Sequence, residues 1–362
     1  MKSILIQGLN RILYRANELI LQHQKMLKHL FILLLISFPV LLHAQHSMDK
    51  RTHYYDNVNR YNDLQKALQH KADAKELSIS GIENVPAEFY ELTHLTKLTV
   101  RRGLNKLDDR IENFRSLEIL NLIDVNITTL PIEIKYCTNL REIRVLSSKL
   151  EELPKELFEL PHLQILVLKN NQISRLPCDF DDNYSLKELN LKFNKITIFP
   201  DCMQRLYNLE SLYLSGNPLG LIQGKFSMDK SFRNLRTLSM SDCMLESIPT
   251  ELTKNISYLD LSSNKIKDIT FDDVQNMSRV TFLSLENNPL TYLDETVLQI
   301  RGLSTLQIDM NDEIADALFM SNRICVSYVG RSYHRKLEQA SPCGKKKGMI
   351  VVFLYEPIKK NK

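Results

Sequence analysis

A 23-residue spacing recurs four times in succession, carrying one residue pattern from Leu117 to Leu140, Leu163, Leu186 and Leu209. Self-similarity at such a period means a solenoid, in which each repeat contacts mainly its neighbours. The copy opening at Leu163 shows the unit: Leu163, Leu166, Leu168, Asn171, Ile173, Leu176 and Pro177, with Phe180 closing it. Leu166 and Leu168 are two apart, so both point to one face of a short strand while Val167 points to the other. Asn171 stands at the bend, where its side chain can bond backbone groups that the turn leaves unpaired. Pro177 lacks an N–H and fixes φ, which predicts the start of a short helical segment on the outer face. The inward apolar side chains of one copy do not offset the entropy of ordering its backbone. One copy therefore cannot fold alone, and neighbours must complete both the burial and the strand pairing.

Followed outward, the pattern gives about ten or eleven turns. A degenerate copy holds Leu77, Ile79, Val85, Pro86, Phe89 and Leu92, and the next opens at Leu95. The copy at Leu209 is lengthened around Gly220 to Ser231, and later copies open at Leu235, Ile256, Val280 and Leu303. The asparagine recurs as Asn171, Asn194, Asn217, Asn264, Asn288 and Asn311, and becomes Cys243 in one copy. Val125 and Ser148 stand there in early copies, which predicts weaker turns and a looser N-terminal third. The unit resembles the leucine-rich repeat in its bacterial form, with Leu-Pro after the asparagine turn. That resemblance covers roughly residues 60–311. It implies an α/β solenoid of horseshoe form, with a parallel sheet on the concave face, short helical or 3-10 segments on the convex face, and caps at both ends.

The flanks divide accordingly. Tyr61, Leu64 and Leu68 space an amphipathic helix within residues 57–74, so residues 45–73 read as an N-terminal helical cap and 74–311 as repeats. Residues 312–362 read as a C-terminal cap, with a helix from Asp312 to Met320 and a hairpin of strands at Cys325–Val329 and Met349–Tyr355. This tail is too short for an enzyme domain with its own core. Near the start, Lys28 precedes an apolar run from Phe31 to Leu42 and then Ala44 and Gln45, the composition of a secretory signal at residues 26–44. Residues 1–25 then read as a mis-annotated upstream extension. The run is short for a transmembrane helix, so no stable membrane insertion is expected after cleavage, the alternative being an uncleaved anchor.

Charge excludes one class of partner. The chain carries 47 basic and 43 acidic residues, but residues 1–44 hold five of the former and one of the latter, leaving 42 of each. No global field then argues for nucleic acid. The sequence shows no nucleophile elbow, no His-Glu-x-x-His and no phosphate-binding glycine loop, so no catalytic residue or cofactor is expected. Its cysteines lack metal-ligand spacing. Of the six, Cys137 and Cys243 occupy repeat positions and read as buried thiols. Cys178 with Cys202, and Cys325 with Cys343, are candidate disulfides.

What remains is the inner face. Its apolar positions include Ile119, Ile123, Leu146, Ile165, Val167, Phe193 and Tyr213, bordered by Arg101, Arg144, Lys169 and Lys192. The face starts basic and ends acidic. Contiguous exposed apolar surface marks interaction sites, so these residues are the candidate contact surface for a protein or peptide partner. The expectation is a secreted, periplasmic or surface binding protein without activity of its own. Two other readings stay open: an intracellular signalling scaffold, and a secreted effector whose repeats select a target.

Overall fold

The computed structural model describes residues 59–221, 232–250, 252, 254–309, 314, 324–329 and 350–355. Alternating apolar residues place one strand in each turn: β1 (Arg60–Tyr61), β2 (Glu76–Ser80), β3 (Lys97–Arg101), β4 (Ile119–Ile123) and β5 (Glu142–Leu146). They continue as β6 (Ile165–Val167), β7 (Glu188–Asn190), β8 (Ser211–Tyr213), β9 (Thr237–Ser239) and β10 (Tyr258–Asp260). A short outer pair, β11 (Asp268–Ile269) and β13 (Tyr292–Leu293), flanks β12 (Phe282–Ser284), and β14 (Thr305–Asp309) closes the repeats. Two last strands follow, β15 (Ile324–Val329) and β16 (Ile350–Tyr355).

All but the outer pair form one parallel sheet in chain order, except that β16 lies between β14 and β15. Register is set by the buried column Leu98, Leu120, Ile143, Leu166, Leu189 and Leu212, each paired in line with the next and each fully covered. A slip of one residue would turn every such side chain to water, which is why the register holds.

The asparagines work as the residue type suggested. Asn194 Nδ2 donates to the carbonyls of Leu168 and Leu191, at 2.9 Å each, while its Oδ1 accepts from Ile173 N at 3.1 Å. Asn171, Asn217, Asn264 and Asn288 repeat this scheme, while Asn311 lies outside the described residues. Ser148 substitutes with two bonds of its own, to Leu146 O and from Val125 N. Beside Val125, Asn126 donates to Gly103 O. The backbone ladder also runs through these early bends, Arg102 N to Ile123 O and Asp124 N to Leu146 O, as it does at Asn170 N to Lys192 O. The bends expected to be weakly bonded are thus bonded by other groups.

Three expectations need correction. The N-terminal helix is only α1 (Leu64–Gln69), capped by Asp63, which accepts from Lys66 N. Tyr61 is in β1 instead, where Arg60 pairs in register with Glu76 and forms an ion pair with it at 3.2 Å. The tail strands do not form a hairpin. They pair in parallel, because β16 takes the place next to β14 and continues the solenoid sheet. The helix expected from Asp312 falls outside the described residues, apart from Ile314.

The third correction concerns the outer face. Pro86, Pro131, Pro154 and Pro200 each precede a 3-10 turn, as the fixed φ of proline favours. Pro177 does not, for residues 178–182 are irregular. Asn183 stands where other copies put Cys137, Leu160 and Leu206. It is buried, donates to Phe158 O at 2.6 Å and accepts from Ser185 N and Leu186 N. Cys178 is bonded to Cys202 of the next turn, Cα to Cα 5.4 Å. The bridge and the asparagine thus hold a segment that helical bonds hold elsewhere. A depression of 440 Å³, lined by Phe158, Pro161, Asp182 and Tyr184 among others, lies beside it.

The asparagine column should be indispensable one member at a time. Asn194→Ala leaves the Ile173 N–H without its partner and takes one of two amide donors from each of the Leu168 and Leu191 carbonyls, which costs about 1–3 kcal/mol. Denaturant unfolding should show that loss, and hydrogen exchange should show it concentrated in the turns around Ile173 and Asn194.

Candidate functional site: the inner face

The inner face is built from the first and third residue of each strand and a fifth position, which in the three-residue strands lies two residues past the end. Arg101 and Lys169 are exposed there, and Ile119, Ile123, Arg144, Leu146, Ile165, Lys192 and Tyr213 are half-buried. Val167 is a correction. It is only 4% exposed, because its short side chain sits in register between the longer Arg144 and Asn190. Arg144 is tied to Glu142, two residues back on the same strand.

At the residue after the fifth position, every bend among the described residues from β2 onward turns through left-handed backbone. Gly81, Arg102, Asp124, Ser147, Asn170, Phe193, Gly216, Asp242, Ser263 and Asn287 all have φ between 52° and 73°. Glycine, asparagine and aspartate tolerate this region, and their recurrence just before the asparagine column was the sequence signal for it. Phe193 is the one aromatic residue among them. An aromatic residue here carries roughly 1–2 kcal/mol of backbone strain, yet its ring remains 48% exposed. Its position is fixed from two sides. Lys169 Nζ lies 5.5 Å from the ring centroid, and a Cβ built on Gly216 would approach the ring to 2.4 Å. Gly216 thus supplies both the left-handed bend and the flat bed on which the ring lies.

Lys192 lies alongside, 5.1 Å from the Tyr213 ring centroid. Burial holds its ammonium below the usual lysine range, against the opposing pull of Asp260. Burial likewise raises the Tyr213 phenol and the Glu188 carboxyl. Two cation–π pairs on adjacent turns therefore form a basic, aromatic centre.

Beyond it the floor drops to small hydroxyls. Ser215 Oγ is 2.7 Å from Ser239 Oγ, Ser239 donates to Asp260 Oδ2 at 3.2 Å, and Ser262 Oγ donates to Asp260 Oδ1 at 2.7 Å. Tyr258 and Phe282 stack along one side, centroids 4.5 Å apart. The repeat offsets place Ser239, Ser241 and Asp260 of this serine trough on the inner face, whereas the bonds that join them to Ser215 and Ser262 emerge only from the aligned turns.

Cys137 and Cys243 are buried free thiols, each pushed up to about 12 by burial. Cys243 Sγ points to the carbonyls of Leu214 and Ser241, partly replacing the asparagine of its turn. The Cys325 side chain and Cys343 lie outside the described residues. Among those residues, no cluster of His, Cys, Asp and Glu could hold a metal ion. No helix among them is long and apolar enough to cross a membrane.

The family models for the leucine rich repeat match residues 138–196, 179–219, 234–255 and 255–277. Residues 138–219 and 234–277 of the chain are thus leucine-rich repeats. Solved structures with this fold include a leucine-rich-repeat protein of Leptospira interrogans, 24% identical, with a TM-score of 0.56 over 71% of this chain and 85% of that one. The functional domain of InlJ from Listeria monocytogenes, which includes a cysteine ladder, is 21% identical with a TM-score of 0.53 over 82% of this chain and 56% of that one. The ectodomain of the plant membrane receptor kinase GASSHO1/SCHENGEN3 from Arabidopsis thaliana, solved in complex with CASPARIAN STRIP INTEGRITY FACTOR 2, is 23% identical with a TM-score of 0.52. That alignment covers 79% of this chain and 36% of the ectodomain. No curated protein matches by sequence.

The strain at Phe193 yields a sharp expectation. Phe193→Gly removes the backbone cost and only a half-exposed ring, so stability should be unchanged or rise by up to about 1 kcal/mol. A fall of 2 kcal/mol or more in denaturant unfolding, on the order of a core truncation, would show that the ring serves the fold.

Proposed function

We propose that this protein binds a protein or peptide partner outside the cytoplasm on the inner face of its repeats, without catalytic activity of its own. The observation that carries the reading is Phe193, a strained and exposed aromatic residue wedged between Lys169 and Gly216. Strain of this kind persists where the surrounding structure imposes it, and it concentrates at ligand clamps and other functional sites. Half-buried Ile119, Ile123, Leu146 and Ile165 form an apolar field on the neighbouring strands. An apolar and aromatic centre with charges around it is the composition of an interaction hot spot. The Arabidopsis ectodomain of the same fold, solved with CASPARIAN STRIP INTEGRITY FACTOR 2, adds support by analogy.

Export rests on the basic start, apolar run and small residue of residues 26–44. The Cys178–Cys202 bridge supports it, since disulfides persist in oxidising compartments and are rare in the cytosol.

Two measurements test the reading. The mature N-terminus of the exported chain should be found near Gln45, and full-length protein confined to the cytoplasm would overturn the export. For binding, the double variant Leu146→Ser and Phe193→Ser should keep its circular dichroism. Its partner, recovered by cross-linking in intact cells and identified by mass spectrometry, should bind at least about 30-fold more weakly, the effect of losing a hot-spot residue. Wild-type affinity in that variant would place the interface elsewhere.

A further inference from the structure

The inner face is electrically ordered along its length. In register, from β6 to β14, the column of fifth positions runs Lys169, Lys192, Ser215, Ser241, Ser262, Glu286 and Asp309, following Arg101, Ile123 and Leu146. Two cations stand at one end and two carboxylates at the other, with three serines between. The serines make that stretch low: Ser215 and neighbouring Ser239 are almost wholly covered, and Tyr258 and Phe282 rise beside them. Asp309 supplies an independent sign of a missing partner. It lies on the inner face by strand alternation and is only 9% exposed. Its carboxylate takes backbone hydrogen bonds from Asn287 and Asn288, yet among the described residues Oδ1 has no hydrogen-bond partner. A covered carboxylate oxygen without a donor is costly unless a ligand supplies one.

Resting on the inner-face reading above, we propose that the occupant is an extended peptide segment lying across the strands. An acidic residue of the peptide meets Lys169 and Lys192 beside Phe193, and a basic residue meets Asp309 and Glu286. Five strand steps separate Lys192 from Asp309. At about 4.8 Å each they span roughly 24 Å, which an extended chain covers in about seven residues. The peptide backbone crosses the serine trough, where small side chains leave room for it.

Selection of a phage-displayed library of random dodecapeptides on the purified full chain tests this. Enriched peptides should pair an Asp or Glu with a Lys or Arg about six to seven positions away. A synthetic peptide of that kind should bind at least tenfold more weakly to Lys192→Glu, and changing its acidic residue to Lys should restore the affinity. Asp309→Asn should weaken the same peptide through its basic end. Lys169→Glu, at an exposed position, gives the same reading should Lys192→Glu fail to fold by circular dichroism. Enriched peptides without the charge pair, or no rescue by reversal, overturn the proposal. If Phe193→Ser abolishes such unordered binders, the inner-face reading stands without the polarity. Binders indifferent to Phe193→Ser overturn the inner face itself. A library that yields no binder overturns the peptide occupant.

Discussion

A strand that leaves a parallel sheet and must return one layer on has to bend without abandoning its backbone polar groups. In this array the bend is a fixed pair of devices. One residue in left-handed conformation turns the chain, and the asparagine after it closes bonds to its own turn and to the previous one. Because the amide side chain reaches backward across the layer, the turns are locked in register as well as closed. The apolar columns can then stack without slipping, and the inner face becomes a grid with known spacing. Everything attributed to that face depends on this lock.

The grid explains what the sequence made legible. A period of 23 residues with leucines at fixed offsets specifies strand, bend and core face together, since each follows from one geometric requirement. The buried columns through Leu166 and Leu168, and the asparagines from Asn171 to Asn288, lie where that reasoning put them. It failed where a residue's surroundings are set by the adjacent turn. Val167 points inward as alternation requires, but Arg144 and Asn190 close over it. Pro177 carries the signal for an outer 3-10 turn, but Asn183 and the disulfide impose another path. The tail strands could be found by composition, while their parallel pairing could not, because it depends on an open sheet edge supplied by β14.

Phe193 joins these two levels. From sequence it is one more apolar residue near a bend. The repeat offset puts it where the other turns place glycine, small polar residues or a single arginine, and the backbone adds that this position is left-handed. Nor does its exposure repay the strain through core packing. The neighbouring turn accommodates it with Gly216, whose missing side chain leaves room for the ring.

The Cys178–Cys202 bridge has a consequence for the array under load. If the chain is pulled from its ends, a stack held by nearest-neighbour contacts peels turn by turn. The covalent tie interrupts that peeling in the middle of the sheet. The 24-residue interval that it closes cannot extend, withholding roughly 80 Å of chain at about 3.3–3.6 Å per residue. This withheld interval includes Lys192 and Phe193. Lys192 and Phe193 therefore lie inside a mechanically shielded loop, and the turns outside it extend before that segment does.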